Sequence, residues 1–423
     1  MQSIIETLTV PVREGVDVIV VGGGIAGVAA AVAARRNGAS VLLLEKQALL
    51  GGLATGGLIS WYEPLCDGKG EQLMFGLPEE LLRLAVRYGD DSLPEIWKKQ
   101  NAQIDKRLVS KQINDPIGGR YATLFSPTMF QLALDELLQQ EQIRIRLDIL
   151  AVRPIMEALR CTGVCCESIS GREFYPAKVV VDATGDADML YRAGAPCREG
   201  RNYFSVVAHL NDITAKTRAI KLRRWVSCGS DLSGNGHPAN KPKVAGTTNE
   251  EVTNFLLDGR KALLDKLRSD DRTQRDVVSL PSMAQLRTIR RLCGVATLRE
   301  SDCCERHEDS VALACDFERP GDWYEIPWGC LFSDKIDNML AAGRMVSAED
   351  WGWEVTRVIP VCAATGEAAG TAAAVMAQHG APARGLSVKE LQQKLTKQGV
   401  RLHFSRRKKT HTDKTKGDTA QMK

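Results

Sequence analysis

Strand and helix patterns alternate at the start of the chain. Apolar, β-branched runs cover Asp17 to Val21 and Val41 to Leu44, as in strands that are buried on both faces. Between them, Ile25 to Asn37 consists mostly of alanine and valine, which is typical of a helix packed closely on a sheet. The order strand, helix, strand predicts a βαβ unit in a parallel α/β sheet.

A glycine-rich turn separates the first strand from this helix. Gly22, Gly24 and Gly27 form the pattern G-x-G-x-x-G, which permits a tight turn and brings a pyrophosphate close to the helix N-terminus. Glu45 ends the second strand, where such folds bind ribose hydroxyls. The pattern predicts a dinucleotide-binding site. The alternative is a glycine-rich turn in an ordinary α/β unit, and this motif alone does not identify the dinucleotide.

Later segments extend the same architecture. The patterns predict a helix opening at Leu77, a helix over Thr128–Gln140, a strand within Ile143–Ile149, a β-meander over Val152–Pro176 and a buried strand over Ala177–Asp182. Residues 90–119 are polar and poorly periodic, which indicates an excursion outside the main sheet.

A less regular region follows, and a second apolar block comes after it. In the less regular region we expect a strand over Tyr203–Leu210, a helix over Glu250–Leu267 and a mobile loop over Ser227–Thr248. Near the end, a strand over Met339–Ala342 precedes Gly343 and Arg344, and a long Ala-rich helix begins near Pro360 and ends at His379.

Composition and charge narrow the class of protein. The 423 residues are 44% hydrophobic with a formal net charge of +4, which suits two or three domains. There is no run of 18 or more apolar residues, which argues against a transmembrane helix, and the N-terminus lacks a secretory pattern. Residues 401–423 hold eight Lys or Arg and two Asp, so this part carries +6 and the remainder −2. We therefore expect a basic, disordered tail over residues 384–423 and no nucleic-acid binding by the body.

The cysteines indicate reduced thiols. There are twelve, including the adjacent pairs Cys165-Cys166 and Cys303-Cys304, with no C-x-x-C spacing. Without an export signal this usage predicts a cytoplasmic protein. Cys161, Cys165 and Cys166 could form a metal or iron–sulfur site, but they lack the usual ligand spacing, so core or surface thiols are the better interpretation and no metal is predicted.

Two later motifs make a family resemblance specific. The first is Asp182-Ala183-Thr184-Gly185-Asp186 at the end of a strand, and the second is Ala342-Gly343-Arg344 before the Ala-rich helix. With the first glycine motif, they resemble the FAD-dependent oxidoreductases of the two-dinucleotide-binding-domain class, which include fumarate-reductase- and heterodisulfide-reductase-like relatives. The later motifs favour FAD over NAD. The resemblance covers roughly residues 16–379 and is thin between 194 and 277.

The resemblance implies a fold and a domain division. We expect a Rossmann-like FAD-binding domain with a β-meander, formed by residues 14–60, 121–193 and 324–380. An excursion or cap over residues 61–120 and a second, α+β substrate domain over residues 194–323 would interrupt it. The N-terminus of the Ala-rich helix would stabilise an anionic reduced flavin.

The resemblance and the local patterns together imply a set of cofactor contacts. The residues expected at FAD are Gly22, Gly24, Ile25, Ala26, Gly27, Glu45, Lys46, Gly52, Ala54, Thr55, Val152, Ala183, Thr184, Gly185, Asp186, Gly343, Arg344 and Gly366.

Candidate catalytic residues are fewer. Arg344 and Arg357 are candidates for positioning an anion or a substrate, and His209 is a candidate acid or base because its ordinary pKa is near neutrality. Arg287 or Arg290 could bind a substrate carboxylate, with a surface or interface salt bridge as the alternative. The acidic and aromatic segment 349–354 departs from the family pattern and is expected on the substrate side of the flavin, so substrate identity is not transferred from any relative.

The leading hypothesis is an FAD-dependent oxidoreductase that transfers hydride between flavin N5 and a small polar or anionic organic substrate. Electron transfer to a partner redox protein is a second hypothesis, weakened by the lack of a cluster-binding cysteine series. RNA binding or tRNA modification is a third, and a non-catalytic relative is a fourth. No membrane partner is expected.

Overall fold

A mixed sheet of seven strands forms the centre of the computed structural model, which describes residues 4–89, 93, 97, 119–213, 220–271 and 273–405. The strands are β1 (Val16–Val21), β2 (Val41–Leu44), β5 (Arg144–Arg146), β6 (Leu150–Glu157), β7 (Arg160–Ser168), β8 (Gly171–Asp182) and β16 (Met339–Ala341). Their order is β5-β2-β1-β8-β7-β6, and β16 pairs with the free side of the end of β8.

The parallel part of the sheet contains β5, β2, β1, β8 and β16. Val20 of β1 pairs with Leu43 of β2 on one side and with Val181 of β8 on the other. All three side chains are fully buried. Burial on both faces explains why these strands are uninterrupted apolar runs, and it confirms the strands predicted over residues 17–21, 41–44 and 177–182.

Strand β8 belongs to two parts of the sheet. Its first half pairs antiparallel with β7, from Gly171 with Ser168 to Pro176 with Gly163. Its second half pairs in parallel with β1 and β16. The sequence patterns suggested two separate pieces here, because the alternating part and the buried part differ, but the backbone is one continuous strand.

Two helices of small residues cover one face of the parallel strands. Helix α1 (Ile25–Arg36) lies against α7 (Ile359–His379). A Cβ added at Gly366 would lie 2.2 Å from the Ala26 carbonyl oxygen, and one at Gly370 would lie 2.1 Å from that of Ala30. This contact explains the Ala- and Gly-rich sequences. By length and composition alone α7 could cross a membrane, but 94% of its most apolar window is buried inside the protein, as in a core helix.

Two amphipathic helices extend this helical layer. Helix α2 (Leu77–Val86) lies against both α7 and α3 (Pro127–Gln140), and both begin close to the positions that the patterns predicted. Pro78 stands in the first turn of α2 and Pro127 opens α3, where a missing N–H costs nothing. Most of the predicted excursion over residues 90–119 lies outside the described residues.

A second, antiparallel sheet lies within residues 194–323. It contains β10 (Ser205–Ile213), β11 (Ile220–Gly229) and β12 (Arg275–Ser279), in the order β11-β10-β12. Helix α5 (Asn249–Arg268) covers it, and Phe204, Phe255 and Leu263 are among the side chains of its two small cores. Strand β11 was not predicted, and its end takes up the first residues of the expected loop over 227–248.

Short elements connect these parts. Pairs of strands are formed by β3 (Trp61–Tyr62) with β4 (Thr123–Leu124), β9 (Cys197–Glu199) with β13 (Arg290–Leu292), and β14 (Ser310–Cys315) with β15 (Trp323–Pro327). The remaining short helices before the C-terminus are α4 (Asp188–Arg192) and α6 (Asp350–Thr356).

The prediction of a disordered tail from residue 384 is wrong for residues 384–405. Helix α8 (Val388–Lys397) buries Leu391 and Leu395, which are four residues apart and face the body. Beyond it, the Ser310 hydroxyl donates to the Leu402 carbonyl oxygen at 2.8 Å, and Phe404 is buried. The Lys-rich composition obscured this apolar face. Residues 406–423, which hold most of the tail's positive charge, lie outside the described residues.

Candidate functional site

A cleft of about 1010 Å³ opens at the carboxyl ends of the parallel strands. Val21, Leu44, Ala183 and Ala342, at or just beyond the ends of β1, β2, β8 and β16, all contribute to its wall. Open α/β sheets bind ligands at this edge. The predicted cofactor residues that line the cleft are Gly22, Gly24, Ile25, Ala26, Glu45, Lys46, Gly52, Ala54, Ala183, Thr184, Gly185, Gly343 and Arg344.

The glycine turn leaves room for a ligand at the N-terminus of α1. Gly22 has a φ of +102°, and a Cβ there would lie 2.4 Å from the Ala183 carbonyl oxygen, so only glycine fits. A Cβ at Gly24, by contrast, would meet no atom within 4 Å. The first N–H groups of α1 therefore face open space, which fits the phosphates of a dinucleotide.

Glu45 stabilises the glycine turn through hydrogen bonds to its backbone. Its carboxylate accepts the Gly23 N–H at 2.5 Å and the Gln47 N–H at 2.8 Å. Burial raises the pKa of Glu45, and the bond from Gly23 opposes that shift. Glu45 lines the cleft as a ribose-binding acid would, and in this structure its carboxylate also holds the backbone of the glycine turn.

The second motif turns sharply around a buried acid. The fully buried carboxylate of Asp182 accepts the N–H groups of Thr184 at 3.1 Å and of Met189 and Leu190 at 2.9 Å. Burial raises the pKa of Asp182 to about 6. These bonds hold the turn so that Ala183, Thr184 and Gly185 face the cleft.

Arg344 ties this turn to the rest of the cleft. Its guanidinium donates to the Gly185 carbonyl oxygen at 2.8 Å, to the Leu286 carbonyl oxygen at 2.6 Å and to the Asp186 carboxylate at 2.6 Å. Arg344 lines the cleft, and its three hydrogen bonds also join the turn at Gly185 and Asp186 to the segment at Leu286. Its predicted role in substrate positioning stays a prediction.

Five predicted cofactor residues do not line the cleft. Gly27 packs under the turn, where a Cβ would lie 1.8 Å from the Gly22 carbonyl oxygen, and Gly366 contacts α1. The Thr55 hydroxyl donates to the Leu50 carbonyl oxygen, and Asp186 pairs with Arg344. Val152 stands beside Leu150 and Ala151, which are the residues of β6 that reach the cleft.

The N-terminus of α7 forms part of the wall of the cleft. Ile359 and Cys362 line it, and the Ile359 N–H donates to the Glu63 carboxylate at 3.1 Å. Burial raises the pKa of Glu63 to about 7, against the effect of the nearby Arg357. Sequence reasoning missed Glu63, because a single acid in an aromatic loop carries no periodic signal.

One arginine lines this end of the cleft and a second lies within electrostatic range of it. Arg357 lines the cleft and pairs with Glu354 of α6. Burial, and secondly the charge of Arg357, lower the pKa of Arg287, which is not among the lining residues. Arg290 is engaged elsewhere, in an ion pair with Asp188 at 2.9 Å and over the ring of Tyr191.

The acidic and aromatic segment 349–354 lies behind the cleft wall. The Trp353 indole N–H donates to the Arg344 carbonyl oxygen at 2.6 Å. Glu349 forms ion pairs with Arg291, Arg198 and Arg299, on the side away from the lining residues. Glu354, through Arg357, and Trp353, through Arg344, contact residues that line the cleft.

His209 does not line the cleft. Its Nε2 lies 3.1 Å from the Leu58 carbonyl oxygen and 3.3 Å from the Ser60 hydroxyl, and its ring stacks on Trp225. The side chain is 3% exposed. This environment is that of a structural histidine at the base of the second sheet.

Comparisons with known proteins agree with this arrangement. The model of the family "FAD dependent oxidoreductase" matches residues 17–254 and 238–395, which include the sheet, the cleft and the inserted sheet. No curated protein matches the chain significantly.

Several solved structures are similar to this chain at low identity. A p-nitrophenol 4-monooxygenase from Pseudomonas putida is 12% identical over 91% of this chain and 84% of that one, with a TM-score of 0.43. A geranylgeranyl bacteriochlorophyll reductase-like protein from Thermoplasma acidophilum is 13% identical over 92% and 84%, with a TM-score of 0.44. A flavocytochrome c3 fumarate reductase is 14% identical over 87% and 79%, with a TM-score of 0.40.

Proposed function

Because this chain belongs to the FAD-dependent oxidoreductase family, we propose that it transfers a hydride between flavin N5 and a small organic anion. Bound FAD supplies the hydride acceptor or donor. The residues that would hold it are the glycine turn at α1, the turn at Ala183 to Gly185 and the N-terminus of α7. The observation that supports an anionic substrate is the neighbouring pair Arg287 and Arg357.

Arg287 and Arg357 bring two positive charges to this end of the cleft, and Glu354 and Asp231 partly offset the charge of Arg287. Arg357 pairs with Glu354, whereas Arg287 donates to the Asp231 carbonyl oxygen at 3.2 Å and forms no ion pair within the described part of the chain. Two guanidinium groups close together repel each other, and a substrate carboxylate between them would relieve this repulsion. Guanidinium binds carboxylate with two parallel hydrogen bonds, so the pair would also orient the substrate.

Glu63 would hold or release the proton that accompanies hydride transfer. It lies next to Ile359 and Arg357, which both line the cleft. Since its pKa is about 7, both its neutral and its ionised forms are populated near neutral pH. A carboxyl group tuned in this way suits proton exchange better than one with its ordinary pKa.

The first experiment asks whether FAD is present and which compounds react with it. The purified protein should show a flavin absorption spectrum and release FAD on denaturation. Under anaerobic conditions a panel of small carboxylic acids is then compared with the corresponding methyl esters, which have the same carbon skeleton without the charge. We expect flavin bleaching by at least one acid and not by its ester.

Arginine variants then locate the anion site. Arg287→Ala and Arg357→Lys should raise KM for the reactive acid by about 10- to 100-fold, since a charge-assisted hydrogen bond contributes about 1.5–3 kcal/mol. Arg299→Ala is the matched control, because Arg299 lies outside the cleft and is half exposed. Equal bleaching by acids and esters, or unchanged KM in both variants, would contradict an anionic substrate.

A further inference from the structure

A cluster of metal-ligand side chains lies outside the cofactor cleft. The thiols of Cys303 and Cys304 and the carboxylate of Asp322 have ligand atoms within 4.8 Å of one another. The two sulfur atoms are 3.7 Å apart. Adjacent residues of an extended chain point to opposite sides, but Cys304 has a φ of +62°, and here both thiols face the same carboxylate.

The spacing of the sulfur atoms matches a single metal ion. Two thiolates bound to one Zn²⁺ at about 2.3 Å, with a tetrahedral angle between them, would be about 3.8 Å apart. The observed separation of 3.7 Å is close to this value. Two sulfur ligands and one carboxylate oxygen form a donor set that suits zinc better than Mg²⁺ or Ca²⁺, which prefer oxygen alone.

A buried hydroxyl group lies beside the two thiols. Tyr324 is fully buried, and its hydroxyl group contacts the Cys303 thiol. Asp322 directly precedes β15 and Tyr324 is the second residue of that strand, so the carboxylate and the hydroxyl group both come from this end of β15. Trp323, between them, packs on Phe404 instead.

We propose that Cys303, Cys304 and Asp322 bind a Zn²⁺ ion, with the Tyr324 hydroxyl or a water molecule in the fourth position. The ion would join the segment after residue 302 to the start of β15, two parts that already meet where the Cys304 N–H donates to the Trp323 carbonyl oxygen at 2.8 Å. None of these residues lines the cofactor cleft, so the site is structural. Two thiols are too few for an iron–sulfur cluster, which needs four ligands.

The test measures zinc directly in the full-length, cofactor-loaded protein. The reduced protein is treated with a chelator, given an equimolar amount of Zn²⁺, passed through a desalting column and analysed for metal. We expect one zinc per chain in the wild type and at least a tenfold lower content in Cys304→Ser and in Asp322→Asn. X-ray absorption of the wild type should show two sulfur neighbours at about 2.3 Å.

The adjacent cysteines of β7 provide the matched control. Cys165 and Cys166 lie on opposite sides of a strand, one partly exposed and one buried, and so do not converge on one ion. Cys165→Ser should retain the full zinc content. A wild-type protein without zinc, zinc that persists in Cys303→Ser/Cys304→Ser, or a spectrum without sulfur neighbours would each overturn the proposal, and the last of these needs no variant to fold.

Discussion

Glu367 is a buried carboxyl group in the middle of α7, and its titration should make the folded protein less stable as pH rises. Its side chain accepts the Leu77 N–H at 2.9 Å, and the residue is 3% exposed. Burial raises the pKa of Glu367 from 4.5 to about 8, and the nearby Glu80 carboxylate adds to the shift. The group therefore enters the folded state as a neutral acid at neutral pH.

The direction and size of the effect follow from this shift. Because the folded pKa lies above the unfolded value, the stabilising contribution is complete below about pH 4.5 and is lost as the pH rises through about 8. Each pKa unit corresponds to about 1.36 kcal/mol, so the free energy of unfolding should fall by about 4–5 kcal/mol over the whole window. Between about pH 5 and about pH 7 the expected loss is about 2–3 kcal/mol.

Glu367→Gln isolates this contribution, since the amide oxygen can still accept the Leu77 N–H but the side chain does not ionise. Urea unfolding of the FAD-saturated protein, followed by circular dichroism at several pH values, measures it. The free energy of unfolding of the variant should no longer fall as Glu367 would ionise. The variant should therefore be more stable than the wild type at about pH 8. Glu308→Gln, at an exposed position, should leave the profile unchanged. If Glu367→Gln retains the slope of the wild type, Glu367 is not the titrating group.

Three further substitutions test the cleft and its packing. In Gly24→Asp the new side chain has room, but it places negative charge at the N-terminus of α1. The FAD affinity, measured by fluorescence titration, should therefore fall about tenfold or more, while Tm of the FAD-free protein is unchanged. Glu63→Gln should abolish the limb near pH 7 in the pH profile of kcat/KM, whereas Glu63→Asp should retain a limb. Gly366→Val would force a side chain against the Ala26 carbonyl oxygen and should lower the free energy of unfolding by about 1–3 kcal/mol or more in urea unfolding.

Each of these has a clear contrary result. FAD binding of wild-type strength in Gly24→Asp would show that phosphate does not lie at the N-terminus of α1. A limb near pH 7 that persists in Glu63→Gln would assign it to another group. Wild-type stability of Gly366→Val would mean that α1 and α7 can separate without cost.

The parts of the fold that could be predicted from sequence are those with local causes. Buried parallel strands require apolar runs, and the turn at Gly22 requires glycine, so both patterns stand in the sequence itself. The packing of α7 on α1 is also visible in the sequence, because closely packed helices require small residues at their interface. The sequence pattern did not predict α8, because its two buried leucines are outnumbered by polar residues.

The site could be predicted only in part, because its chemistry depends on distant residues. Glu63 acquires its raised pKa from burial, which outweighs the opposing hydrogen bond from the Ile359 N–H of α7, and neither position indicates the other in sequence. Arg287 and Arg357 lie 70 positions apart and come within electrostatic range of each other only after folding. His209 lies outside the cleft, since a suitable ordinary pKa says nothing about where a residue will lie, and its role as an acid or base stays a prediction.

The position of β8 in the sheet also has a consequence for biosynthesis. β1 leaves the ribosome well before its partner β8, and α7, which covers α1, follows later still. Such distant pairing delays folding and exposes apolar strands in the meantime. Because Ile359 and Cys362 of α7 line the cofactor cleft, the cleft is complete only after α7 has been translated.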